Sequence, residues 1–225
     1  PIRFRASEEL NGIIHELAEQ FQATPIRTSE HFGEASPGGL IGFNLLTEHV
    51  HPNIEGQFLL ADAFFTGIVQ SGLIGDDPDP GAMNRAYYRQ HWDYTELDSL
   101  VGDFKIKHLK SYWPFTSLDE AILFRDTFQV SGFLDSLAFS ILTDPAASFQ
   151  SLHLQLAAHY EQRNQWGKAF REYLALIRAD PFHSWYYTQA ASCQLKLNDL
   201  HAAEYYLRES LAFGRDLLAH SLLGE

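Results

Sequence analysis

Residues 150–183, QSLHLQLAAHYEQRNQWGKAFREYLALIRADPFH, align with residues 184–217, SWYYTQAASCQLKLNDLHAAEYYLRESLAFGRDL, at an offset of 34. Ala157 then meets Ala191, Asn164 meets Asn198 and Ala169 meets Ala203, while Leu156 falls opposite Ala190 and Tyr173 opposite Leu207. Each unit divides into two helical stretches with a turn near its asparagine. Small residues at the same place in both units let two helices pack closely. A period of this length implies stacked helical hairpins, each burying its apolar face against the next. Asp180-Pro181 closes the first unit, because proline cannot continue a helix.

The pair resembles the tetratricopeptide family, whose repeat carries small residues at its eighth and twentieth positions and proline at its thirty-second. Ala157, Ala169 and Pro181 stand in those places, and Tyr160 takes the aromatic position between them. The second unit departs, with Gln194 where the first has Tyr160 and Arg215 where it has Pro181. It is read as shortened or terminal, and residues 214–223 as a capping helix. An unrelated pair of helical hairpins is the competing reading. Residues 116–149 are a candidate for one further, degenerate unit. The resemblance implies a groove that takes a protein or peptide partner.

Upstream of the repeats, everything from Met83 reads as helix. Thr95 with Asp98, and Ser117 with Glu120, have the spacing of capping boxes. Trp113-Pro114-Phe115 ends one helix and Asp144-Pro145 another. The break lies at Gly75-Asp76-Asp77-Pro78-Asp79-Pro80-Gly81, where two prolines and two glycines stop any helix. Its aspartates lack the closing glutamate of a calcium loop, so a solvated linker is expected.

Before the break, Leu10, Ile13, Ile14, Leu17, Ala18 and Phe21 follow helical spacing behind Ser7 as cap. Thr24-Pro25-Ile26-Arg27-Thr28 is short and β-branched, which predicts a strand. A loop from Ser29 to Gly42 carries four glycines, and a second helix begins near Asn53 with Phe58, Leu59, Ala61, Phe65 and Ile68 as its apolar face. Helix, strand, loop and helix make one α/β unit. Its lone strand needs partners from elsewhere to satisfy its backbone groups.

The chemistry sits in Leu46-Thr47-Glu48-His49-Val50-His51-Pro52-Asn53, followed by Gly56 and Leu59-Leu60-Ala61. An acid three residues before a histidine, on a turn leading into a helix, suits a base and its orienter. Imidazole takes a proton from a hydroxyl near neutral pH. A carboxylate fixes its tautomer and stabilises the imidazolium. Pro52 stiffens the turn and Asn53 caps the helix. A structural surface loop is the competing reading. Zinc bound by His49 and His51 is another, but it lacks an obvious third ligand nearby.

This block is similar to the last conserved block of the SGNH (GDSL-type) hydrolases. There an Asp-x-x-His pair precedes a proline, a glycine some four residues later, and an apolar helix. His51 falls on the catalytic histidine and Glu48 on the acid, with glutamate in place of aspartate. The likeness covers roughly residues 8–72. It implies the final third of a flavodoxin-like three-layer α/β/α domain. It also implies an ester of a carbohydrate or lipid as substrate, and a serine nucleophile served by His51 as base then acid and by Glu48 as orienter. That serine is not found here. Asp98-Ser99-Leu100 and Asp135-Ser136-Leu137 are decoys, preceded by leucine rather than glycine and set within helical periodicity. The glycine and asparagine blocks that supply oxyanion donors are not seen either. By itself this chain is expected to be inactive, its nucleophile lying upstream.

Bulk numbers narrow the partners. Among 225 residues, 45% are hydrophobic and 20% charged, as in ordinary globular proteins. A net charge of −13 argues against nucleic acid. Lys105, Lys107 and Lys110 near Trp113 are the local exception, read as a solvated helix face. The single Cys193 rules out an intrachain disulfide and a cysteine metal cluster; a buried structural thiol is expected. No cofactor or metal is expected. No run of eighteen apolar residues spans a bilayer. Pro1 opens the chain without methionine or signal pattern, which reads as a fragment or processed product; export to the cell envelope stays open if a signal or anchor lies upstream.

The expected fold is mainly α with a small α/β portion: an SGNH-like part over 1–73, a linker over 74–82, a helical connecting region over 83–149, and TPR-like repeats over 150–225. A purely non-enzymatic interaction scaffold is the alternative function.

Overall fold

The structure is a computed structural model that describes residues 6–72, 84–92, 94–214 and 216–224. The linker expected over 74–82 lies outside the described residues. The chain falls into two compact units, Pro1–Tyr88 and Arg89–Glu225. Among the described residues the fold is helical and no strand forms; the nearest approach is one antiparallel bridge between Leu46 and Pro52. No helix among them is long and apolar enough to cross a membrane.

The first unit opens with α1 (Glu8–Gln20), where the Ser7 hydroxyl accepts the Leu10 N–H at 3.3 Å, as its sequence predicts. Its apolar stripe is real but open: Leu10, Ile13, Ile14, Leu17 and Phe21 are all exposed. The strand expected at Thr24–Thr28 is not there. Thr28 instead donates to the Ile26 carbonyl in a tight turn, and α2 (Thr28–Glu34) starts on the last residue of the expected strand and runs into the stretch read as loop. A strand needs a neighbour to take its backbone groups, and no described segment offers one. Ile26 packs on α3 (Ile54–Gln70) at Gly67, where a Cβ would collide with its side chain. In the glycine-bearing loop, Gly38 and Gly39 take positive φ angles. Phe32, Leu45 and Leu46 form a small core with Ile41, Leu59 and Leu60.

After α4 (Arg85–Gln90), the second unit begins with α5 (Glu96–Lys110). Both halves of its Thr95/Asp98 capping box are made. Ser117 with Glu120 is different. The Ser117 hydroxyl donates to the Glu120 carboxylate at 2.6 Å, but no helix follows. Local turns hold that stretch, with Thr116 donating to the Lys110 carbonyl and Ser111 accepting from Phe124. Helix returns only as α6 (Phe124–Thr127) and α7 (Phe133–Thr143), so residues 116–149 lack two full-length helices. The decoy serines Ser99 and Ser136 lie within α5 and α7. Phe104, Phe124, Phe128 and Phe139 cluster there, joined to Leu97, Leu137, Leu152 and Leu156 in one core.

The 34-residue periodicity becomes two antiparallel hairpins, α8 (Phe149–Glu161) with α9 (Trp166–Ala179) and α10 (Ser184–Lys196) with α11 (Leu200–Phe213). The aligned small residues Ala157, Ala169, Ala191 and Ala203 are all fully buried at helix crossings. Asn164 and Asn198 both take left-handed φ angles, 57° and 61°, at the turn of each hairpin. Asparagine tolerates that region better than other non-glycine residues, which explains its repetition. Cys193 is buried in the core with Tyr173, Leu176, Tyr186 and Ala190. The last helix, α12 (Leu217–Leu223), is capped by Asp216, whose carboxylate also accepts from buried Thr188 at 2.7 Å.

Candidate functional site

The loop carrying Glu48 and His51 is pinned at both ends. On the incoming side Leu46 N–H bonds to the Gly42 carbonyl at 2.9 Å. Asn44 bonds Ser36, whose hydroxyl donates to the Phe32 carbonyl. On the outgoing side Asn53 N–H reaches the Leu45 carbonyl at 2.9 Å, its side-chain nitrogen reaches the Phe43 carbonyl, and its side-chain oxygen caps α3 through Gly56 N–H at 3.0 Å. Thr47 N–H to the His51 carbonyl at 2.8 Å closes the turn. Six residues, Leu46 to His51, are thus held in a compact hairpin-like bend at the head of α3.

Within that bend Glu48 is the hub. Its carboxylate is buried, the side chain only 2% exposed. One oxygen accepts the His51 backbone N–H at 2.8 Å and also meets His51 Nδ1. The other accepts the Val50 N–H at 3.1 Å and faces His49 Nδ1 at 2.8 Å. Burial alone pushes this carboxyl up. The His51 backbone N–H, the His51 ring, the Val50 N–H and the His49 charge outweigh it and hold Glu48 below the ordinary 4.5. The extra methylene of glutamate therefore does not prevent the acid from reaching the histidine three residues on. It lets one carboxylate serve both the backbone turn and two rings.

The His51 ring is 70% exposed. With Nδ1 turned to the carboxylate, an Nδ1–H tautomer leaves the lone pair on Nε2, the opposite edge of the ring. A proton can be taken there, and the imidazolium that results is stabilised by Glu48. Sequence reading brought Glu48 and His51 together correctly but gave His49 only a metal role. The structure places His49 on the same carboxylate, and no group of three or more metal-ligating side chains occurs among the described residues. Alternation of His49 and His51 about Val50 was the available signal, since residues two apart in a tight bend can turn toward one acid.

A second polar cluster escaped the sequence altogether. His153, Asp98 and Glu172 meet inside the second unit from α8, α5 and α9. Residues so far apart in the chain leave no local motif.

No protein-family model matches this chain, and no curated protein or solved structure matches it.

Proposed function

We propose that residues 8–72 are the histidine-bearing final third of an SGNH-type acyl hydrolase or acyltransferase, and that the repeats over 150–225 are a tetratricopeptide-like module that engages a protein or peptide. The buried Glu48 carboxylate gripping an exposed His51 through Nδ1 carries the reading. It is the arrangement a general base needs: oriented from behind, open in front.

The reaction is transfer of an acyl group from a carbohydrate or lipid ester. A serine hydroxyl supplied from outside these residues attacks the ester carbonyl while Nε2 of His51 takes its proton. The same ring then protonates the leaving alkoxide, and Glu48 stabilises the imidazolium between the two steps. The open apolar faces of the first unit favour this reading as well. Besides the α1 stripe, Phe64 and Ile68 on α3 stay exposed.

The scaffold reading rests on the second unit, where Phe182, Trp185, Leu200 and Tyr205 are exposed along the hairpins. Exposed aromatics of this kind favour a protein partner.

The test uses the full-length protein. His51→Ala abolishes hydrolysis of a generic ester such as p-nitrophenyl acetate and leaves the circular dichroism spectrum and melting temperature near wild type. Unchanged turnover in a folded His51→Ala protein removes the enzymatic reading and leaves the scaffold.

A further inference from the structure

His153 is almost completely buried, 1% exposed, in the middle of α8. Its Nδ1 lies 2.7 Å from Glu172 on α9, and its Nε2 lies 3.4 Å from Asp98 on α5. Glu172 is buried too, and the Asp98 side chain is 11% exposed. An ionised carboxylate only accepts hydrogen bonds. A ring with one carboxylate at each nitrogen satisfies both only when it carries a proton on each. The geometry therefore calls for the imidazolium.

We propose that His153 is a proton-operated latch that fastens the N-terminal turn of α5 to α8 and α9, closed while the ring carries both protons and released when one leaves.

Each surrounding element contributes. The N-terminal turn of α5 brings Asp98, which also accepts the Thr95 N–H at 2.9 Å, and carries Glu96, whose charge acts on Tyr160 rather than on the ring. Lys105, further along α5, borders the neighbouring cavity. Tyr94, just before that helix, gives its carbonyl to Arg171 at 3.1 Å. From α9 come Glu172, Arg171 and Arg178, the last 3.5 Å from Asp98. The α8 helix adds Tyr160, and Phe149 lies against the imidazole at 4.1 Å between ring centroids. What α7 presents to the cavity is Ile141, which is apolar.

With His153 charged, two positive and two negative groups (His153, Arg178, Asp98, Glu172) balance. Loss of a proton leaves one carboxylate against a nitrogen lone pair in a poorly solvated site. The remaining N–H stays with the closer partner, Glu172, and the longer contact to Asp98 is the one that fails. Asp98 sits in the first turn of α5, so this is where release begins. A cavity of about 80 Å³, lined by Asp98, Lys105, His153 and apolar side chains, adjoins the pair.

The titration runs in the direction the latch needs. Burial by itself lowers the His153 value, but hydrogen bonds and charge from Asp98 and Glu172 raise it above the ordinary 6.5. Asp98 is held below its ordinary value because the His153 ring, the Thr95 N–H and the Arg178 charge outweigh its burial, and burial pushes Glu172 up. A histidine raised on folding contributes stability that is complete below 6.5 and disappears as pH climbs through the folded value.

The test is amide hydrogen exchange on the 225-residue chain between pH 6 and 9, corrected for intrinsic base catalysis, with an NMR titration of the His153 ring. The latch predicts that protection of Ser99, Leu100 and Val101 falls by up to about tenfold per pH unit between 6.5 and the folded value of the ring and levels off above it, while α10 and α11 stay protected. His153→Gln, which cannot change charge, makes α5 protection low and independent of pH. Two results overturn the proposal: α5 protection that follows α10 and α11 at every pH, or a His153 ring that titrates at or below 6.5. The wild-type titration alone decides the matter if His153→Gln does not fold.

Discussion

The carbonyl oxygen of Leu45 occupies the space that a Cβ on Gly56 would fill. Gly56 sits in the first turn of α3, its N–H capped by Asn53, and the chain bearing Leu45 runs directly over it. The glycine is what lets the Glu48–His51 bend press against the helix. Gly56→Ala is expected to destabilise the first unit by about 1–3 kcal/mol through overpacking against rigid backbone. Gly102 on α5, with open space around it, is the control: Gly102→Ala gains ~0.5–1 kcal/mol from helix propensity. Urea unfolding of the two variants measures the difference, and equal behaviour refutes the close approach.

Glu48 supports the bend through its charge as well as its shape. Its folded value lies below the ordinary 4.5, so the stability it contributes is present above that pH and is lost as pH falls through the folded value. Glu48→Gln keeps the length but loses acceptor strength toward two backbone N–H groups and two rings. The expected loss is on the order of 1–3 kcal/mol at pH 7, with a flatter acid limb than wild type. Denaturation series from pH 3 to 7 report both quantities; superimposable curves would contradict the role given to the carboxylate.

The two repeat asparagines make a conformational prediction. Asn164 and Asn198 both hold φ angles that β-branched residues avoid. Asn164→Gly should change the melting temperature little or raise it. Asn164→Val should lower stability by about 1–2 kcal/mol, because a left-handed conformation strains its Cβ. Matching results at Asn198 would show that the two turns are equivalent, whereas a well-tolerated valine at either site argues against the turn geometry.

Cys193 reads out the opening of the repeat core. It is fully buried, and burial, aided by the Glu161 charge, pushes the thiol up to about 12. Iodoacetamide at pH 8 is expected to leave the native protein unmodified over hours and to label it fully in guanidinium chloride. Leu156→Ala, which cuts a fully buried side chain from the neighbouring core, should cost about 2–5 kcal/mol and accelerate labelling. Rapid alkylation of the native wild type would mean that the core is looser than its packing indicates.

Sequence reading went furthest where structure is local. The Ser7 cap, the Thr95/Asp98 box and the start of α3 after Asn53 each depend on residues three apart, and the helix stop before Asp144-Pro145 on adjacent ones. The Glu48–His51 contact is of the same kind, three residues within one bend. Thr24–Thr28 failed because a strand exists only with a neighbour. Ser117 with Glu120 failed because a capping pair can bond without any apolar stripe beyond it to bury.

By itself the sequence determined the helical period, the small residues and asparagines that repeat with it, and the acid and imidazole that share a turn, since each follows from spacing along one chain. Only the tertiary structure decided that His49 joins His51 on one carboxylate, that α1 keeps its apolar stripe open, and that Asp98, His153 and Glu172 converge. Those depend on which helices lie side by side, and burial turns such distant residues into partners by removing the water that would otherwise solvate each of them.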